Sequence, residues 1–174
     1  MKNFKIIFII SLILIMNVGF SQLPAPGSNI LRPDLNKFEG TWKWVSANSE
    51  LSIQLKKLNY HFSDENYNED IIVGSHKHIE NGVLVGNYLP DFPLLGQDYA
   101  GTIFIYQDAD GLFPNKISGG LTAHRKHKKV NLTLEYVAGS PVTLIWHSQV
   151  RGGFITDPSI EGLTLPADLI LIKQ

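Results

Sequence analysis

Val130-Asn131-Leu132-Thr133-Leu134-Glu135-Tyr136 alternates apolar and polar residues without a break. A period of two puts Val130, Leu132, Leu134 and Tyr136 on one face and Asn131, Thr133 and Glu135 on the other, which is a β-strand with one face buried. Gly139, Ser140 and Pro141 then turn the chain, and Val142, Leu144 and Trp146 take up the alternation again. Two such runs joined by so tight a turn form an antiparallel hairpin.

The same pattern recurs on either side. Leu51, Ile53 and Leu55 alternate with Ser52, Gln54 and Lys56, and further strands are predicted over 41–47, 71–79, 83–88, 101–107, 117–125 and 167–173. Glu80, Asn81 and Gly82 make the turn between two of these, with an Asn-Gly pair suited to positive φ. In 71–79 both parities carry apolar residues, so the direction of each side chain is open there. No segment after the N-terminal apolar run keeps a helical period over three turns. Short alternating runs every ten residues or so, punctuated by Gly, Asn, Asp and Pro, predict an all-β domain: a single antiparallel barrel of about 8–10 strands, or else a sandwich. Residues 23–33 hold three prolines and read as an extended lead-in to a short helical turn near Asp34 to Phe38.

Met1-Lys2-Asn3-Phe4-Lys5 is a basic start, Ile6 to Met16 an apolar run, and Gly19-Phe20-Ser21 a small-residue cleavage site. This is a signal-peptide pattern, and the apolar run is short for a membrane span. The expected organisation is 1–21 signal, 22–37 lead-in and helical turn, and 38–174 barrel, in a chain exported to the periplasm or the exterior. There is no cysteine. A domain of about 150 residues buries roughly 70% of its unfolded surface and stands without disulfides. The net charge is −1, and removing Lys2 and Lys5 makes it more negative. That balance excludes nucleic acid and anionic membrane surfaces as expected partners. The one basic cluster, His124 to Lys129, reads as a solvated hairpin tip.

Phe38-Glu39-Gly40-Thr41-Trp42-Lys43-Trp44 follows the helical turn and opens the first strand. This resembles the Gly-x-Trp start of lipocalins, fatty-acid-binding proteins and bacterial lipocalin-like families. The resemblance implies a lipocalin-like barrel closed at one end by the helical turn, with Gly40 allowing close backbone approach and Trp42 as a core plug. It further implies a basic residue packed over the tryptophan, for which Arg151 and Lys173 are the candidates. The whole chain, including its closing run from Leu165 to Leu171, also resembles a group of secreted bacterial proteins of unknown function, which brings no activity with it.

Chemistry-bearing motifs are sparse. His76 and His78 lie two apart on a strand, so both rings share one side, as a metal-ligand pair would. A third ligand from His61, His124, His127 or His147 is fixed by no spacing, and Lys77 and Glu80 nearby make a solvated face the simpler reading. Asp108, Asp110 and Gly111 begin like a calcium loop, yet Gly119 stands where the twelfth-position acid belongs, so a turn is expected. Gly-x-Ser-x-Gly is absent, and Glu65, Glu69 and Asp70 fall in a polar segment, 62–70, read as an exposed loop. No motif asks for a cofactor or an enzyme.

Trp42, Trp44, Trp146, Phe104, Tyr106 and Tyr136 lie in strand runs, where aromatics are most often core. In a lipocalin-like barrel Trp44, Phe104, Tyr106, Tyr136 and Trp146 would line a cavity. The Gly119-Gly120 doublet reads as a bulge or bend. The expected function is non-catalytic binding of a small apolar molecule inside the barrel. The alternative is a protein-binding module using loops 89–100 and 152–166, with Phe92, Leu94, Leu95 and Tyr99 exposed in the first.

Overall fold

The computed structural model describes residues 24–90, 101–106, 113–123, 128–150 and 167–174. The signal-like segment, the turn expected at 107–112, the hairpin tip expected at 124–127 and most of both expected long loops lie outside them. Ten strands follow in chain order: β1 Asn29–Ile30, β2 Gly40–Ser46, β3 Ser49–Phe62, β4 Tyr67–Glu80, β5 Val83–Asn87, β6 Ile103–Tyr106, β7 Lys116–Ala123, β8 Lys128–Val137, β9 Thr143–Val150 and β10 Asp168–Lys173. A 3₁₀ turn, Pro33–Phe38, precedes β2. Among the described residues no helix is long and apolar enough to cross a membrane.

The order β4-β3-β2-β10-β9-β8-β7-β6 returns to β4, so eight antiparallel strands close a barrel. Closure runs through Ile72–Ile105, Val73–Phe104 and Gly74–Ile103. The same edge of β4 pairs with β1 at Asn68 and Glu69 and with β5 from Lys77 to Glu80. One strand thus serves β3 along one side and three short segments along the other. At Gly74 the neighbouring backbone comes close: a Cβ there would lie 2.5 Å from the Gln54 carbonyl oxygen and 2.7 Å from Leu55. Gly119 across the seam is as constrained, since its Cβ would lie 2.3 Å from the Phe104 carbonyl oxygen. The turn of β4 into β5 uses Asn81 and Gly82, both at positive φ.

Alternation sets the barrel's polarity. Ile53, Ile72, Ile105, Leu132, Leu134, Trp146 and Leu171 point inward and belong to one buried cluster. The outer wall carries charge: Lys43 and Lys77 flank Glu50 at 2.9 and 3.5 Å. Chiefly the bond from Lys43 holds the Glu50 carboxyl below its ordinary range, against a partial desolvation. The same wall also exposes apolar side chains, among them Ile145, Ile170 and Ile172.

The 3₁₀ turn closes one end with Leu35 and Phe38, both fully buried. The Trp42 indole N–H donates to the Phe38 carbonyl at 2.9 Å, and its ring meets Tyr136 edge-on. Lys173 sits over the same indole at 5.1 Å, so of the two basic candidates it is Lys173 that the structure places there. Arg151 lies outside the described residues. Gly40 has φ +121°, and a Cβ on it would press on Lys173 at 3.2 Å. Lys37 ties the turn to Asn115 at 2.8 Å and to the Pro114 carbonyl.

Residues 62–70 are not an exposed loop. β3 runs through Phe62 and β4 starts at Tyr67, leaving only a four-residue turn with Asn66 at positive φ. Leu58, Tyr60 and Phe62 pack on Ile71 and Val73 in a second cluster on the outer wall. The other parity is held by polar bonds, Asn59 to Asp70 at 2.9 Å and His61 to Asn68 at 2.7 Å. The polar composition therefore hides a strand pair whose two faces are both engaged. Asp70 also accepts from the Arg32 backbone N–H and lies 3.4 Å from Lys57, while Arg32 pairs with Glu69 at 2.9 Å.

Gly74→Ala overpacks the seam and is expected to cost about 1–3 kcal/mol, whereas Gly120→Ala, whose Cβ meets nothing nearer than 3.8 Å, stays within about 0.5 kcal/mol; urea unfolding of both variants measures the contrast. Burial raises the Asp70 carboxyl, but the Arg32, Asn59 and Lys57 donors outweigh it and leave the pKa lowered. A depressed folded-state carboxyl contributes stability that is present above pH ~4 and lost as the pH falls below it. Melting temperature against pH is therefore expected to fall less steeply below pH ~4 in Asp70→Asn than in the wild type.

Candidate functional site

The outer parities of β6, β7 and β8 are Phe104 and Tyr106, then Ser118, Gly120 and Thr122, then Asn131 and Thr133. Register aligns them in rows: Phe104–Gly120–Asn131 and Tyr106–Ser118–Thr133. The centre of the first row has no side chain. The middle of this wall is therefore a trough, with two aromatic rings along one bank, Asn131 and Thr133 along the other, and Gly120 in the floor. Its volume is about 460 Å³, and Gly101, Thr102 and Thr122 complete one end. That is within the range of small-molecule sites.

The aromatic bank is braced from behind. Phe104 meets Tyr60 edge-on at 5.5 Å, Tyr60 meets Phe62 at 5.0 Å, and Phe62 stacks on Tyr67 at 4.9 Å. Ile71 and Val73 lie beneath these rings. Tyr106 leans on Phe104 at 6.4 Å and keeps 53% of its surface exposed. The polar bank is uncharged: the Ser118 and Thr133 hydroxyls lie 3.3 Å apart, and Asn131 is exposed. Among the described residues no Asp, Glu, Lys, Arg or His lines the trough.

The five residues expected to line a cavity are split. Trp146 is fully buried inside the barrel, and Trp44 and Tyr136 are partly buried against the interior cluster. Phe104 and Tyr106 face outward, because Ile103 and Ile105 take the inward places on β6. An Ile-Phe-Ile-Tyr run is apolar in both parities, so its direction is not legible from sequence. Gly40 and Trp42 sit at the closed end, away from the trough. Ser118, Gly120, Thr122, Asn131 and Thr133 stand in no motif that marks a site; the Gly-Gly doublet and the polar parity of β8 are their only signals in the sequence.

His76 and His78 do share a side, and that side is the interior. They are only 4% and 3% exposed, so the solvated-face reading is corrected: their partners Ile53 and Leu51 turn inward and carry them along. His76 Nδ1 and the Thr102 hydroxyl are 2.7 Å apart, and the His76 ring lies against Tyr88 at 5.1 Å. His61 is at the far end of β3 and His147 is on the outer wall. Among the described residues no three His, Asp or Glu side chains converge on one point.

Ser118, Thr133, His147 and Asp168 stand in one cross-strand row. His147 Nδ1 contacts Asp168 at 2.6 Å, while the Ser118 hydroxyl is engaged with Thr133. Acyl transfer needs a nucleophile hydrogen-bonded to its base. Among the described residues no hydroxyl is bonded to His147, so the row is not an assembled triad.

A family model described as "Family of unknown function (DUF6705)" matches residues 1–174, the whole chain. The chain belongs to that family. No curated protein and no solved structure matches it.

Proposed function

We propose that this member of a family of unknown function is a non-catalytic binding protein, working outside the cytoplasm, that holds a small molecule in the trough on its outer wall. The observation that carries the reading is the missing side chain at Gly120, between Phe104 and Asn131, which opens about 460 Å³ where a strand wall is ordinarily covered. Export is supported by the basic-apolar-small pattern of Met1 to Ser21. The barrel interior is less suited to a ligand. Among the described residues Trp42, Trp146, Phe38 and the inward aliphatic side chains form one buried cluster there.

Native mass spectrometry of the protein taken gently from its own host, beside Gly120→Leu, tests the proposal. The wild type is expected to carry a reproducible extra mass that disappears on denaturation and is missing from the variant. An equal extra mass on both places the ligand elsewhere and overturns the reading, as does the bare polypeptide mass in both.

A further inference from the structure

Resting on that reading of the trough, we infer that its ligand is a neutral saccharide, bound as a segment of an oligosaccharide chain. Three features of the lining select this chemistry.

The first is charge. Among the described residues every side chain lining the trough is uncharged, so a carboxylate, phosphate or ammonium entering it would lose water without gaining a counter-ion from them.

The second is the donor and acceptor pattern. Ser118, Thr122 and Thr133 each offer a hydroxyl that both donates and accepts, and Asn131 offers an amide that does the same. An acyl chain would cover Thr122 and Asn131 without pairing their polar groups, at about 1–3 kcal/mol for each one buried, while Ser118 and Thr133 would keep only the bond between them. A ligand dense in hydroxyls pairs with them, and the 3.3 Å between the Ser118 and Thr133 oxygens suits two adjacent hydroxyls of one ring.

The third is the aromatic bank. A pyranose ring has an apolar C–H face beside its polar rim, and Tyr106 presents an exposed ring, steadied by Phe104, facing a polar bank. The two banks thus match the two characters of a sugar. The trough lies on the barrel's outer surface rather than in an enclosed cavity, so a ligand longer than the trough is not confined to it.

Calorimetric titration of the full-length protein with neutral hexasaccharides of glucose, xylose, mannose and N-acetylglucosamine, with hexagalacturonate and laurate as contrasts, tests the inference. At least one neutral hexasaccharide is expected to bind while hexagalacturonate and laurate do not. Tyr106→Ala is expected to weaken that binding roughly tenfold, the scale of a lost aromatic contact. Gly120→Leu is expected to abolish it; Asn131→Ala and Thr133→Val, which leave the strand floor unaltered, each weaken it should the leucine variant not fold. Val45→Ala, on exposed β2 away from the trough, leaves the affinity unchanged. Saccharide binding indifferent to Tyr106, Asn131 and Thr133 overturns the inference, and so does preferred binding of hexagalacturonate or laurate. If no neutral saccharide binds while the Gly120-dependent extra mass persists, the saccharide class falls and the trough stands as a site for another ligand. If both are missing, both readings fall.

Discussion

The barrel depends on a seam of three residue pairs. β4 must close onto β6 through Ile72–Ile105, Val73–Phe104 and Gly74–Ile103 while its ends pair with β1 and β5. A strand with an unpaired middle would expose a row of backbone donors and acceptors, and closure removes that edge. The cost is curvature, and the backbone meets it where side chains are missing. Gly74 and Gly119 face contacts of 2.5 and 2.3 Å that no Cβ tolerates. The seam also builds the candidate site. Val73–Phe104 pairing puts the phenyl ring on the outer wall over the second apolar cluster, and the next register step puts Gly120 beside it.

The two adjacent glycines have opposite uses. Gly119 sits where backbones touch and is a requirement of the fold, whereas Gly120 has open space where its side chain would be. Foldability does not demand a glycine at 120. An outer strand position left empty, between an aromatic ring and an amide, is more economically a ligand's position than a structural one. The braced rings fit the same view, since a surface that binds through aromatic faces gains from rings already fixed before contact.

Sequence alone carried much of the fold and little of the site. β8 and β9 were legible because each has one apolar and one polar parity, and the Asn81-Gly82 turn because positive φ restricts residue choice. The lower halves of β3 and β4 were not, because their inward positions near the barrel end are Asn59, Asn68 and Asp70, satisfied by one another and by Arg32. Such a network depends on partners up to 38 positions away and leaves no local pattern. The spacing of His76 and His78 puts them on one side, and only pairing with Leu51 and Ile53 tells that this side is the core. The trough was hidden for a related reason: three strands contribute to it two rows at a time, and only register brings Phe104, Gly120 and Asn131 into line.

The central claim is that a ligand lies on the outer wall and not within the barrel, and nitrogen-resolved NMR of the labelled protein tests it most directly. The chain has three tryptophans, and Trp42, Trp44 and Trp146 all turn inward. Stripping the co-purified ligand and returning it is predicted to shift the backbone amides of Gly120, Asn131 and Thr133 while the three indole N–H signals stay in place. Movement of the indole signals with those amides unchanged would contradict the account and put the ligand inside the barrel.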